Sequence, residues 1–266
     1  MKAFTAIFAL SIFSALTPLV AQLPEESGDP TATPTPSPTP PDQTPAPEGL
    51  TPKAKETFEK LQSLDEEERE TFFGHLQEAH RLQNPENRRT LEALLELHSA
   101  EQILPYHLNV LLTKGACLVQ IRDFDRAAQY FDTANEIYPN RWELAFNRAE
   151  MDFVRGNWQE AKERFNDLLT TYADILGEDT RRLVEFKTIL CMLQLDEHEE
   201  ALAAINRYDI YDFSPIHYYG MAAYHFATQE GSKAMEWIEH ARRIYQGNQL
   251  AIYEDSLVEV GWITVL

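Results

Sequence analysis

Cysteine is scarce in this 266-residue chain, with only Cys117 and Cys191. That excludes a disulfide-rich scaffold and any zinc site built on several thiolates. Basic residues are also few. Twenty-three Lys and Arg stand against 43 Asp and Glu, a formal charge of -20, so nucleic acid and anionic lipid are both repelled rather than bound. The eight histidines do not gather. His75 and His80 are five apart and off a common helical face, and His217 and His225 lack a cysteine or carboxylate at ligand spacing. No H-E-x-x-H, G-x-S-x-G or glycine-rich phosphate loop occurs, so no catalytic residue, metal ligand or cofactor is expected. Sustained strand alternation is missing, as are Asn-Gly and Asp-Gly hairpin pairs. Beyond residue 21 no apolar run is long enough to span a bilayer.

The first apolar run has a different meaning. Lys2 supplies a positive start, residues 3–20 are apolar apart from Thr, Ser and Pro18, and Ala21 offers a small residue for cleavage. Residues 1–21 are therefore expected to act as a secretory signal, or as a membrane anchor if uncleaved, and the chain to reach the periplasm or cell envelope. No cysteine follows the run to take a lipid. Residues 22–50 hold nine of the fifteen prolines. They read as a disordered, semi-stiff Pro/Thr-rich linker, either a stalk or a leader remnant.

From residue 51 the chain reads as successive helices. Thr51-Pro52 is an N-cap followed by a first-turn proline, and Phe58 and Leu61 mark a short apolar face. The 63–66 segment has a capping-box pattern and opens a helix carrying Phe72, Phe73, Leu76, Ala79 and Leu82. The acidic run 65–68 falls in that helix's first turn, where the dipole favours it. Asn84-Pro85 marks a break. Leu91, Leu94, Leu95 and Ile103 are expected to form the buried stripe of the next helix, and Pro105 to begin another. Further starts are expected at Asp123, Asn157, Asp179 or Thr180, and Ser214-Pro215, with a helix ending at Gly177.

A phrase recurs every 34 residues. Ala93, Ala127 and Ala161 open it: Ala127, Phe131, Ala134, Pro139; Ala93, Leu97, Ala100, Pro105; Ala161, Phe165, Leu168, with Ala173 in the proline's place. Twelve residues before Ala127, Ala161 and Ala234 stand Gly115, Ala149 and Ala222, small enough for paired helices to approach closely. The unit opening at Ala201 is displaced, 40 residues after Ala161, with the extra residues placed at 174–180. Such a period signifies stacked two-helix units. The frame puts Cys117 and Cys191 at the same spot in units one and three, two layers apart and out of disulfide reach, so both are expected to be small buried residues.

These features resemble the tetratricopeptide repeat, with a small residue in the first helix, then A-x3-F and a closing proline. The expectation is an all-α chain: an α-solenoid of stacked antiparallel helix pairs at 105–247, extra N-terminal helices at 51–104 including one degenerate repeat interrupted by Pro85, and a capping helix and tail at 248–266. The resemblance implies a non-catalytic protein–protein interaction module or scaffold, with a concave groove lined by the first helix of each pair. Mapped onto the family's carboxylate clamp, only Asn147 and Lys187 match; Leu112, Ala116 and Leu183 do not, so the clamp is not supported, and the two polar residues are expected at the surface. The groove positions are Leu112, Phe146, Phe153, Phe186, Leu190, Tyr219 and Phe226. Facing outward, these would form an apolar patch that needs covering. Its occupant is expected to be a partner's amphipathic helix or peptide, the chain's own N-terminal helices at 52–83, or a second copy in a homo-oligomer. If the curvature differs, the same residues are ordinary core. The apolar tail from Trp262 is expected to pack back on the last unit or to be a partner site.

Overall fold

The computed structural model describes residues 49–264, apart from 85, 86 and 213. The expected signal (1–21) and nearly all of the linker (22–50) lie outside the described residues. No strand occurs among the described residues, and twelve helices do. They are α1 (Pro52–Ser63), α2 (Glu66–Gln83), α3 (Thr90–Ile103), α4 (Leu108–Gln120), α5 (Phe124–Ile137), α6 (Trp142–Arg155), α7 (Trp158–Thr171), α8 (Glu178–Gln194), α9 (His198–Ile205), α10 (Ile216–Ala227), α11 (Gly231–Ile244) and α12 (Gly247–Glu259). Five hairpins, α2/α3 to α10/α11, stack in chain order, and the first helices α4 and α6, and α8 and α10, pack side by side.

The 34-residue phrase is the inward face of each second helix. Ala127, Phe131 and Ala134 are buried on α5, Ala161, Phe165 and Leu168 on α7, and Ala234, Ile238 and Ala241 on α11. Gly115 on α4 shows why a small residue is needed opposite. A Cβ there would lie 2.2 Å from the Phe131 ring. The same face on α3 is Ala93, Leu97 and Ala100. This corrects the expected leucine stripe: Leu91 and Leu95 are 67% and 68% exposed, because the side of α3 that meets α2 is fixed by the alanine phrase. The α2/α3 hairpin is intact, because α2 ends before Pro85 and α3 starts after it.

A second periodicity lies in the backbone. The turn from first to second helix carries a left-handed residue at Arg88, Arg122 and Gly156, again 34 apart, and then at Asp196 and Gln229. In the turn after α4, the N–H of Asp123 donates to Leu118 O at 2.9 Å; after α6, the N–H of Asn157 donates to Asp152 O at 2.9 Å. These are the six-to-one closures of a helix end that reverses in the left-handed region. Only one of the five positions is a glycine, which hides the motif from the sequence.

Several boundaries differ from expectation. The N-cap of α2 is Asp65, which forms the capping box with Glu68, rather than Ser63. Pro105 precedes α4 by three residues, and Gly177 starts α8 instead of ending α7. Thr51 caps α1 as expected, accepting from the Ala54 N–H, and its hydroxyl also donates to Ile137 O at 2.6 Å. That bond holds α1 on α5, and α2 packs on α3 and α4, so the N-terminal helices are not the groove's occupant.

Candidate functional site

The side of the stack formed by the first helices is covered by α12. This helix does not extend the solenoid as a further layer. It turns back at 245–246 and packs on α8, α10 and α11. Its apolar stripe, Leu250, Tyr253 and Leu257, is buried. Tyr253 stacks on Tyr219 with centroids 5.4 Å apart and meets Phe186 at 5.0 Å. Its hydroxyl lies 3.0 Å from Ser214 Oγ. Beyond the helix, Trp262 stacks on Phe226 at 6.1 Å. Aromatic pairs of this kind add about 0.5–1.5 kcal/mol each beyond their area burial.

The seven groove residues separate into groups. Phe186, Tyr219 and Phe226 touch α12 or its tail. Phe146 and Phe153 instead approach Phe165 of α7, at 6.3 and 6.2 Å, and belong to the core of their own hairpin. Leu112 and Leu190 are fully buried. The expected open apolar patch is thus absent: six of the seven are buried and Phe226 is half-buried. The sequence shows which positions are apolar, but the return of the chain's own C-terminus is a long-range event with no local signature.

Charge is concentrated under α12. Lys187 Nζ lies 3.1 Å from Glu150 Oε1 and 4.4 Å from the centre of the Phe153 ring, with both members of the ion pair buried. The α12 helix adds Asp255 and Glu259, one turn apart. Asp255 meets Arg88 at 3.3 Å and Glu259 meets Arg122 at 2.9 Å. The two arginines are equivalent left-handed turn residues of successive hairpins, so the repeat itself sets out the pair that receives two carboxylates at i and i+4. Glu254 accepts from the Tyr219 hydroxyl at 2.8 Å and from Arg242 Nε at 2.9 Å. Burial pushes Asp255 up to about 6, with Arg88 and Lys187 opposing. Burial likewise lifts Glu150 above the usual carboxylate range, against the pull of Lys187.

Neither clamp-like residue is at the surface. Asn147 is buried and donates to Glu143 O at 2.7 Å, and Lys187 is committed to Glu150, because both face the covered side of the stack. Cys117 and Cys191 are buried and free, as the repeat frame implies, and desolvation raises both thiols far above their ordinary value. Gln83 donates to Cys117 Sγ at 2.9 Å.

Known structures share this helical fold. A tetratricopeptide repeat protein from Parabacteroides merdae superposes with a TM-score of 0.54 at 18% identity, over 70% of this chain and 70% of that one. The fold is a tetratricopeptide-repeat solenoid. Pseudomonas aeruginosa pilF matches with a TM-score of 0.51 at 13% identity, over 74% of this chain and 90% of that one. No family model and no curated protein matches the sequence. At these identities the likeness carries the tetratricopeptide-repeat fold and no ligand. Within that fold, the sequence signal for the site was the aromatic character of Phe186, Tyr219 and Phe226. Arg88, Arg122, Asp255 and Glu259 gave none.

Proposed function

We propose that this protein is a non-catalytic protein-interaction scaffold, exported to the periplasm or cell envelope, that receives a partner helix or peptide on the face formed by its first helices. Tetratricopeptide-repeat solenoids suggest protein partners in general. The observation that supports this surface in particular is that it already accommodates an amphipathic helix, α12, through the Tyr253–Tyr219 stack and two arginine–carboxylate pairs, with Trp262 of the tail stacked on Phe226. A helix laid in a groove is read by apolar anchors at i, i+3, i+4 and i+7, which Leu250, Tyr253, Glu254 and Leu257 follow except at the acid. The export reading is supported by Lys2, the apolar run 3–20 and Ala21.

The test captures binding proteins from an envelope extract on the tagged full chain, then challenges the complex with a synthetic peptide of residues 247–264. The peptide should release the partner, and Phe226→Glu, with its helicity intact, should retain less of it. A partner that resists both changes binds elsewhere, and the reading fails. A doubling of mass with concentration in light scattering would replace the partner with a second copy. Intact mass of the native protein tests the leader: loss of residues 1–21 is expected, and a full-length mass in the soluble fraction refutes export.

A further inference from the structure

We infer that α12 is a proton-dependent plug of this groove, held loosely at pH 7 and above and progressively tighter as the pH falls toward 5. The inference rests on the groove being the partner site and concerns how access to it is controlled.

Three features carry it. First, α12 is joined to α11 through Tyr245 and Gln246 alone, and among the described residues no helix lies over it on its outer side. The hairpins beneath it, α8/α9 and α10/α11, bury Ala201 and Ile205, and Ala234 and Ile238, on their own second helices, so α12 can leave without dismantling them. Second, docking encloses carboxylates incompletely. Asp255 gives one oxygen to Arg88, and its Oδ2 is buried with no hydrogen-bond partner among the described residues. Glu150 gives one oxygen to Lys187, and its Oε2 is in the same state. A buried acceptor left without a donor is costly, and a proton on that oxygen turns it into a donor. Third, the acids converge. Glu259 and Glu254 act on Asp255 with the same sign of charge, and Glu259 also acts on Glu150.

The opposing groups come from every neighbouring element. Arg88 and Arg122 come from the hairpin turns, Lys187 from α8 and Arg242 from α11. At the Tyr253 end, Arg182, Asp179 and Glu185 of α8 act at longer range, and the phenol of Tyr219 on α10 is occupied by Glu254. Among these cations desolvation still dominates at Asp255, so the docked helix holds a proton more firmly than the free one.

The sign follows from linkage. Asp255 moves from an ordinary 3.8 to about 6 when enclosed. The docked state therefore binds more protons between those values, and docking strengthens as the pH falls through that window. From pH 7.5 to 5 this single group strengthens docking by about tenfold, and Glu150 adds in the same direction.

Amide hydrogen exchange of the full chain tests this. After correction for the intrinsic rate, protection of the α12 amides should rise by about tenfold or more from pH 7.5 to 5. Protection of α6 and α7 should show no such rise, and Asp255→Asn should remove about tenfold of the α12 rise. Constant α12 protection overturns the plug, as does an Asp255→Asn protein that keeps the wild-type profile, or loss of all helices together. The wild-type profile decides alone if the variant does not fold. If α12 protection responds to pH but a captured partner binds equally at pH 5 and 7.5, the plug stands and the groove is not the partner's site. A pH-invariant α12 sinks the plug whatever the partner does.

Discussion

Gly115→Ala is the sharpest test of how the repeat holds its hairpins together. The added methyl would sit 2.2, 2.7 and 2.8 Å from Cε1, Cζ and Cδ1 of Phe131, well inside any real carbon contact. The ring is 1% exposed, so it has no open space to turn into. Overpacking of this kind costs about 1–3 kcal/mol, and these distances place it at the upper end. Alanine recovers about 1 kcal/mol of helix propensity over glycine. The net expectation is a loss of about 1–2 kcal/mol, read as a lower urea midpoint by circular dichroism with an unchanged slope. Phe131→Leu removes the colliding ring atoms, so in the double variant the two costs should fall short of their sum by about 1–2 kcal/mol. A Gly115→Ala protein as stable as wild type, or strictly additive costs, would refute the argument that Gly115 is there for close helix approach.

Other expectations follow from the buried polar groups and caps. Burial pushes His107 down to about 4 from 6.5 and lowers His80 as well. The folded state thus binds fewer protons, and the contribution of His107, present above about 6.5, is lost as the pH falls toward 4. At about 1.4 kcal/mol per pH unit between the two values, the loss approaches about 3 kcal/mol, and His107→Leu should flatten the acid limb of a denaturation series. This acts on the α2–α4 core and opposes in sign the tightening of α12. Thr51→Ala removes both the α1 cap and the bond to Ile137 O, and should cost about 1–2 kcal/mol, seen as faster amide exchange confined to α1. Cys117 and Cys191 should both be silent toward a thiol reagent in the native protein, and both react after denaturation; one reactive native thiol would contradict their burial.

Much of the architecture was legible because helix pairs bury one face each. The phrase at Ala93, Ala127 and Ala161 is the inner face of α3, α5 and α7, and Gly115, twelve positions before Ala127, is the close neighbour of Phe131. The same frame kept the two cysteines apart. The leucines of α3 show where pattern reading fails. Leu91, Leu94, Leu95 and Ile103 have helical spacing, yet the alanine phrase of the same helix is what faces α2, since only small residues let α2 approach. Turns were also hard to read, because Arg88, Arg122, Asp196 and Gln229 take the left-handed backbone without being glycine.

The sequence alone determined an all-α stack of helix pairs, its register and which faces are apolar, since those depend on local periodicity and residue size. Only the tertiary structure decided what covers the first-helix face. Leu250, Tyr253 and Leu257 mark α12 as amphipathic, and an amphipathic last helix fits an end cap as well as a groove. The choice was made by contacts between residues more than a hundred apart: Asp255 with Arg88 and Glu259 with Arg122. Side-chain pairings at that separation follow from how the chain closes on itself, and no local pattern encodes them.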